Sequence, residues 1–149
     1  MEFLKKFDSI PSSRIDAFEE KHGFKLPTDY YEFLSTHNGG YPSLDKFEIS
    51  DSQGADVLDV FHGLDVQSRF CNLDYLLDNY PDKFLKKMIP IAHDPGGNYI
   101  CLNVNEGDSF GHVYFYDHEI SNEGVDGGLT SDNLYLISRS FSEFLLKIY

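Results

Sequence analysis

The segment His112-Val-Tyr-Phe-Tyr-Asp-His-Glu119 places two histidines, an aspartate and a glutamate within eight residues. Imidazoles and carboxylates are zinc ligands and also the usual acids and bases of hydrolytic chemistry. Spacing tests whether they can act together. In an extended chain Val113 and Phe115 take one face, and His112, Tyr114 and Tyr116 take the other. His112 and His118 then share a face, but at about 3.3 Å per residue they lie roughly 20 Å apart, too far to share a metal. Asp117 and His118 point to opposite faces. A site would need an imported ligand such as His93. The segment therefore reads as a strand and its exit, with tyrosine rings covering a sheet face and His118 bonded to a neighbouring loop.

Other chemical motifs fail in similar ways. His118-Glu-Ile-Ser-Asn122 begins like HExxH and lacks the second histidine. The chain contains no GxxxxGK[ST], GxGxxG or GxSxG. The backbone N–H groups of Asp94-Pro-Gly-Gly-Asn98 could cradle an anion. With strand-like segments on both sides and no helix to follow, these residues read instead as a hairpin turn. His22 and His37 lie near helix C-termini, where the dipole favours a capping imidazole. Cys71 and Cys101 are too far apart for a CxxC motif and read as buried thiols in a reducing cytoplasm. No catalytic residue, metal or cofactor is expected, and the chain reads as a protein that is not an enzyme. A hydrolase or metalloenzyme built around His93, His118 and Glu119 is the competing chemical reading.

Composition narrows the class further. The 149 residues carry 25 acids against 12 bases, a net charge of −13, with 41% hydrophobic residues. That length suits one globular domain over 1–149. Residues 88–138 hold eight acids and no Lys or Arg. Such a surface repels phosphates, which excludes direct nucleic-acid binding, and attracts a basic partner. No apolar run approaches the ~20 residues of a membrane helix, and Met1–Ile10 lacks a signal-peptide h-region. A cytoplasmic protein with no membrane attachment is expected.

Patterning supplies the elements. Ser13 to Asp16 resembles a capping box opening a helix to His22, which Gly23 stops. Pro27 and Thr28 open a second helix with Tyr30, Phe33, Leu34 and His37 on one face, ended by Asn38-Gly39-Gly40. Phe47/Ile49 and Val57/Asp59/Phe61 alternate as two strands about a turn at 51–54. Asn72 caps a helix carrying Leu73, Leu76, Leu77 and Tyr80, closed by Pro81. Strands are expected at 88–92, 99–104, 111–117 and 134–137, with a polar loop at 105–110 and a long exposed loop at 121–133. Ser140 to Glu143 forms a capping box for a closing helix with Phe141, Phe144, Leu145 and Ile148 inward. The order gives an α+β fold: a mixed, largely antiparallel, bent sheet with helices packed on it.

Three stretches carry a family resemblance. Ile15 to Leu34 reads I-x-x-F-E, a glycine at 23, L-P at 26–27 and D-Y-x-x-F-L at 29–34, followed by Asn38-Gly39-Gly40. Ile91 to Leu102 and Gly111 to Glu119 read I-A-H-D-P-G-G-N-Y-I-C-L and G-H-V-Y-F-Y-D-H-E. In this order and spacing they resemble the SUKH superfamily of Smi/Knr-like domains. The resemblance implies a strongly bent sheet and, in bacteria, an immunity protein that neutralises a cognate polymorphic toxin, often a nuclease. The superfamily's other role is an intracellular regulatory protein-binding module of cell-envelope or stress physiology. The resemblance supplies no catalytic residue; Gly23, Leu26, Pro27, Tyr30, Asn38, Gly39, Gly40, Gly97, Asn98 and His118 are expected to be architectural. The expected partner is a basic toxin domain, because a nuclease must itself bind phosphates. The acids expected at its interface are Glu106, Asp108, Asp117, Glu119, Glu123 and Asp126.

Overall fold

In the computed structural model, which describes residues 1–80, 83–118 and 133–149, α1 (Ser12–His22) buries Ile15 and Phe18. α2 (Thr28–Thr36) buries Tyr30, Phe33 and Leu34. Gly23 ends α1 in the left-handed region at φ 73°, its N–H donating to Glu19 O at 2.9 Å. The expected capping box is not formed. Pro11 occupies the cap position without a side-chain bond, and Asp16 instead accepts from the Tyr31 hydroxyl at 2.7 Å. Leu26 N–H donates to the buried Glu19 Oε2 at 2.7 Å, which fixes the elbow between the helices. His22 also departs from its expected capping role: its Nε2 lies 2.8 Å from Asp74 Oδ1.

The helices pack on a seven-stranded sheet in the order β1-β2-β5-β6-β7-β8-β9. Its strands are β1 (Phe3–Lys6), β2 (Gly40–Pro42), β5 (Val60–Phe61), β6 (Met88–His93), β7 (Tyr99–Asn103), β8 (Val113–Tyr116) and β9 (Leu134–Ser138). Every neighbouring pair is antiparallel. A separate hairpin joins β3 (Lys46–Ser50) to β4 (Gly54–Val57). α3 (Leu73–Asn79) starts at its Asn72 cap, and α4 (Phe141–Leu146) at Ser140, whose Oγ accepts from Glu143 N–H at 3.0 Å. The α+β class and the predominantly antiparallel sheet are as expected.

One sheet face is the main core. Val113 and Phe115 of β8 join Ile89, Ile91, Ile100 and Leu102 beneath Phe18, Tyr30, Phe33, Phe141 and Phe144. Burying each such side chain contributes about 1.5–3 kcal/mol relative to leaving it exposed. The other face holds Tyr99, Cys101, Tyr114 and Tyr116 against Tyr80, Phe84 and Leu85. β8 alternates as predicted, although it spans only Val113–Tyr116. Cys71 and Cys101 are free and buried.

Three elements differ from the sequence reading. β1 turns only Phe3 inward and leaves Leu4, Lys5 and Lys6 exposed along the outer edge of the sheet. β2 starts at Gly40, the last residue of the expected helix stop. Gly39 permits this crossing at φ 82°, because a Cβ there would lie 2.5 Å from His62 O. The buried Asn38 side chain ties the same crossing together, donating to Asp8 O at 2.9 Å and Leu64 O at 2.8 Å and accepting from Leu64 N–H at 2.8 Å. Finally, the strand expected to run through Val57, Asp59 and Phe61 is divided between two sheets at Leu58 and Asp59. Val60 and Phe61 are both fully buried. A strand covered on both faces does not alternate, so the pattern carried no boundary signal.

Candidate functional site

The strands β6 to β8 end in two polar regions of opposite character. At one end, residues 94–98 turn β6 into β7, with Asp94 N–H donating to Asn98 O at 2.9 Å. The Asp94 carboxylate, 3% exposed, accepts from Asn98 N–H and from Asn98 Nδ2, each at 2.8 Å. The turn's donors therefore serve its own aspartate, which leaves the hairpin reading in place of an anion cradle. Asn98 Oδ1 in turn accepts from His118 N–H at 3.0 Å and from His118 Nδ1 at 2.5 Å. His118 thus holds the exit of β8 against this turn. The His118 ring also lies 3.5 Å from where a Cβ on Gly97 would stand.

Beside the turn sits a pair of histidines. Pro90 lies at a bulge of β6, the position where a central strand tolerates proline. Its carbonyl can only accept, so His62 Nδ1, 2.6 Å away, carries a proton. His62 Nε2 must then accept from His93 Nδ1 at 2.7 Å. His93 Nε2 faces Asp59 Oδ2 at 3.6 Å. Burial, and then the neighbouring His93, lower His62 to about 3, so it stays neutral. Burial also lowers His93, against the pull of Asp59 and Asp94. On the other side of Asp94 stands Asp56 of β4, pushed up to about 7 by burial and by its contact with Asp94. No group of three or more His, Cys, Asp or Glu among the described residues is arranged to hold a metal.

At the opposite end, residues 104–112 join β7 to β8. Asn103 braces this loop from inside: its Nδ2 donates to Ser109 O at 2.9 Å, and its Oδ1 accepts from Asn105 N–H at 3.0 Å. Glu106 and Asp108 are left pointing to solvent. Glu106 lines a groove of about 480 Å³ that is also lined by Asp16, Glu19 and Glu20 from α1, by Phe24 and Phe110, and by Lys25 and Lys87. Glu19 is 6% exposed. Its Oε2 is bonded to Leu26, while Oε1 has Lys25 Nζ at 4.0 Å. Phe110 is 38% exposed. The groove sets four carboxylates beside Phe24 and Phe110, a combination that suits an arginine or lysine side chain.

The expected interface acids are thus divided. Glu106 and Asp108 lie at the loop end. Asp117 lies at the turn end, with its N–H donating to Asn133 O at 3.0 Å. Glu119, Glu123 and Asp126 fall outside the described residues, as does most of the loop expected at 121–133; Asn133 itself is buried. Asp16, Glu19 and Glu20 were not among the residues singled out, because they lie in the half of the chain that also carries bases. Asp59 sits in what reads as one alternating strand, and no motif in the sequence marks Asp56 or His62.

Comparison with known proteins agrees with this architecture. The SPbeta prophage-derived uncharacterized protein YokK of Bacillus subtilis (strain 168) is similar to this chain, 28% identical over 161 residues, covering 96% of the chain and 77% of YokK. No helix of the described residues is long and apolar enough to cross a membrane. The SMI1 / KNR4 family (SUKH-1) matches residues 10–147, and the chain belongs to that family.

Proposed function

We propose that this chain is an immunity protein that binds a cognate polymorphic toxin, of a basic, nuclease-like kind, and neutralises it by occupying its surface rather than by catalysis. The observation that carries this reading is the groove at the loop end. It gathers Asp16, Glu19, Glu20 and Glu106 around Phe24 and Phe110, from segments more than 80 residues apart. Glu20 and Glu106 make no hydrogen bond or ion pair with any described residue, so their charge is available to a partner. A net charge of −13 accelerates encounter with a basic surface at low salt. Phe110, 38% exposed beside these carboxylates, adds the kind of aromatic side chain that is enriched at protein interfaces.

The test is co-expression with basic toxin domains, beginning with any encoded beside the chain's own gene. Growth should be rescued by the wild type and lost with the pair Glu20→Lys and Glu106→Lys, with the association rate falling as salt is raised. Absence of rescue by the wild type would overturn the immunity reading and leave the regulatory binding module as the family role to pursue.

A further inference from the structure

Of the four carboxylates that line the loop-end groove, Glu19 is held differently from the rest. It is 6% exposed and is buried on α1 together with Ile15 and Phe18. Its backbone carbonyl accepts from Gly23 N–H at 2.9 Å and from Phe24 N–H at 3.2 Å, and its Oε2 accepts from Leu26 N–H at 2.7 Å. The elbow between α1 and α2 therefore fixes this side chain before any partner arrives, which lowers the ordering cost of binding. Oε1 makes no hydrogen bond with a described residue. It faces the Lys25 ammonium at 4.0 Å, on a side chain 87% exposed. An ion pair that long and that wet contributes little. A nearly buried carboxylate with so weak a counterion is unfavourable until charged donors reach it.

We infer that Glu19 Oε1 is the anchor for one arginine side chain of the partner, whose guanidinium enters the groove beside Phe24 and Phe110 and displaces Lys25. This rests on the reading of the groove as a partner surface. Arginine fits better than lysine for two reasons. A guanidinium is planar and weakly hydrated, so it can lie against aromatic rings at small desolvation cost. It also carries five N–H donors, and those that Glu19 does not take are free for Glu20 and Glu106. An ammonium has three donors and a tightly held hydration shell, which it must shed beside the same rings. Charge agrees, because the groove sets four carboxylates against the ammonium groups of Lys25 and Lys87 alone. One further cation leaves no positive excess.

The experiment needs no toxin. N-acetyl-arginine amide is titrated into the whole chain at low salt and the amide shifts are followed by NMR, with N-acetyl-lysine amide as the comparison. Shifts at Phe24, Val104 and Phe110 should saturate with a dissociation constant on the order of millimolar. The lysine probe should bind about fivefold more weakly. Glu19→Gln keeps a carbonyl oxygen for Leu26 N–H and removes the charge, so arginine binding should fall about tenfold while the elbow amides stay in place. If that variant does not fold, Lys25→Ala on its exposed side chain takes over, and loss of the competing ammonium should tighten arginine binding about twofold. No saturable shift at the groove, equal binding of the two probes, or an affinity unchanged in Glu19→Gln or, in its place, Lys25→Ala would each overturn the anchor. With no toxin present, such a failure leaves the immunity reading standing, and a failed growth rescue leaves the anchor standing.

Discussion

The two ends of strands β6 to β8 are both acidic, yet their carboxylates live differently. At the turn end Asp94 is bonded twice to Asn98, and Asp56 and Asp59 face Asp94 and His93. At the loop end Glu106 and Asp108 stand on a frame that Asn103 holds without them. Net charge alone treats these acids as equivalent. Hydrogen bonding separates them into carboxylates that hold the fold and carboxylates that remain for a partner.

The comparison breaks most visibly if the turn-end groups prove dispensable. Replacing His62 by Ala strips the donor from Pro90 O and the acceptor from His93 and opens a cavity. A loss of about 3 kcal/mol is expected in urea unfolding with the m-value unchanged. Asp94→Ala leaves Asn98 without its acceptor and loosens the hold on His118, with an expected loss of about 2 kcal/mol. At the loop end, Glu20→Lys with Glu106→Lys should leave stability within about 0.5 kcal/mol. It should slow association with a basic toxin about tenfold at low salt, measured by stopped flow, and much less at high salt.

Smaller effects sharpen the contrast through pH. The raised Asp56 carboxyl contributes stability that is full below about 4 and lost as the pH rises through about 7. Asp56→Asn should therefore gain about 1 kcal/mol over the wild type at pH 7.5 and nothing at pH 4, the figure being reduced for a half-exposed group. His62 works in the opposite sense. Lowered from 6.5 to about 3, it contributes stability that is full above 6.5 and lost as the pH falls toward 3. Between those limits the two slopes oppose, so the Asp56→Asn profile should be steeper than that of the wild type. The smallest expected effect is that of Glu106→Ala, which should leave thermal stability unchanged within about 0.5 kcal/mol.

Much of this frame was legible in the residues. Pro27, Gly23, the Ser140 box and the 94–98 turn each act through local backbone chemistry, which neighbours in sequence are enough to specify. The groove and the His62–His93 pair were not legible, because each joins segments that only the folded sheet brings together. Glu19 and Glu20 line one groove with Glu106, and His62 of one strand end meets His93 of another at 2.7 Å. Alternation also misled at Val57 to Phe61, where a strand buried on both faces imitates a continuation of its neighbour. Ser13 to Asp16 had the letters of a cap, but Pro11 set the helix start earlier and Asp16 found Tyr31.

The inward brace of Asn103 has a consequence for how such a protein changes over generations. The loop's path is written by the amides of Asn103 and Asn105 and by backbone atoms, while the side chains at 106 and 108 make no hydrogen bond that holds it. Side chains there can be exchanged for others of any charge or size that solvent tolerates, and the loop keeps its path. Specificity for a new partner could therefore be explored one substitution at a time, with folding left out of the contest.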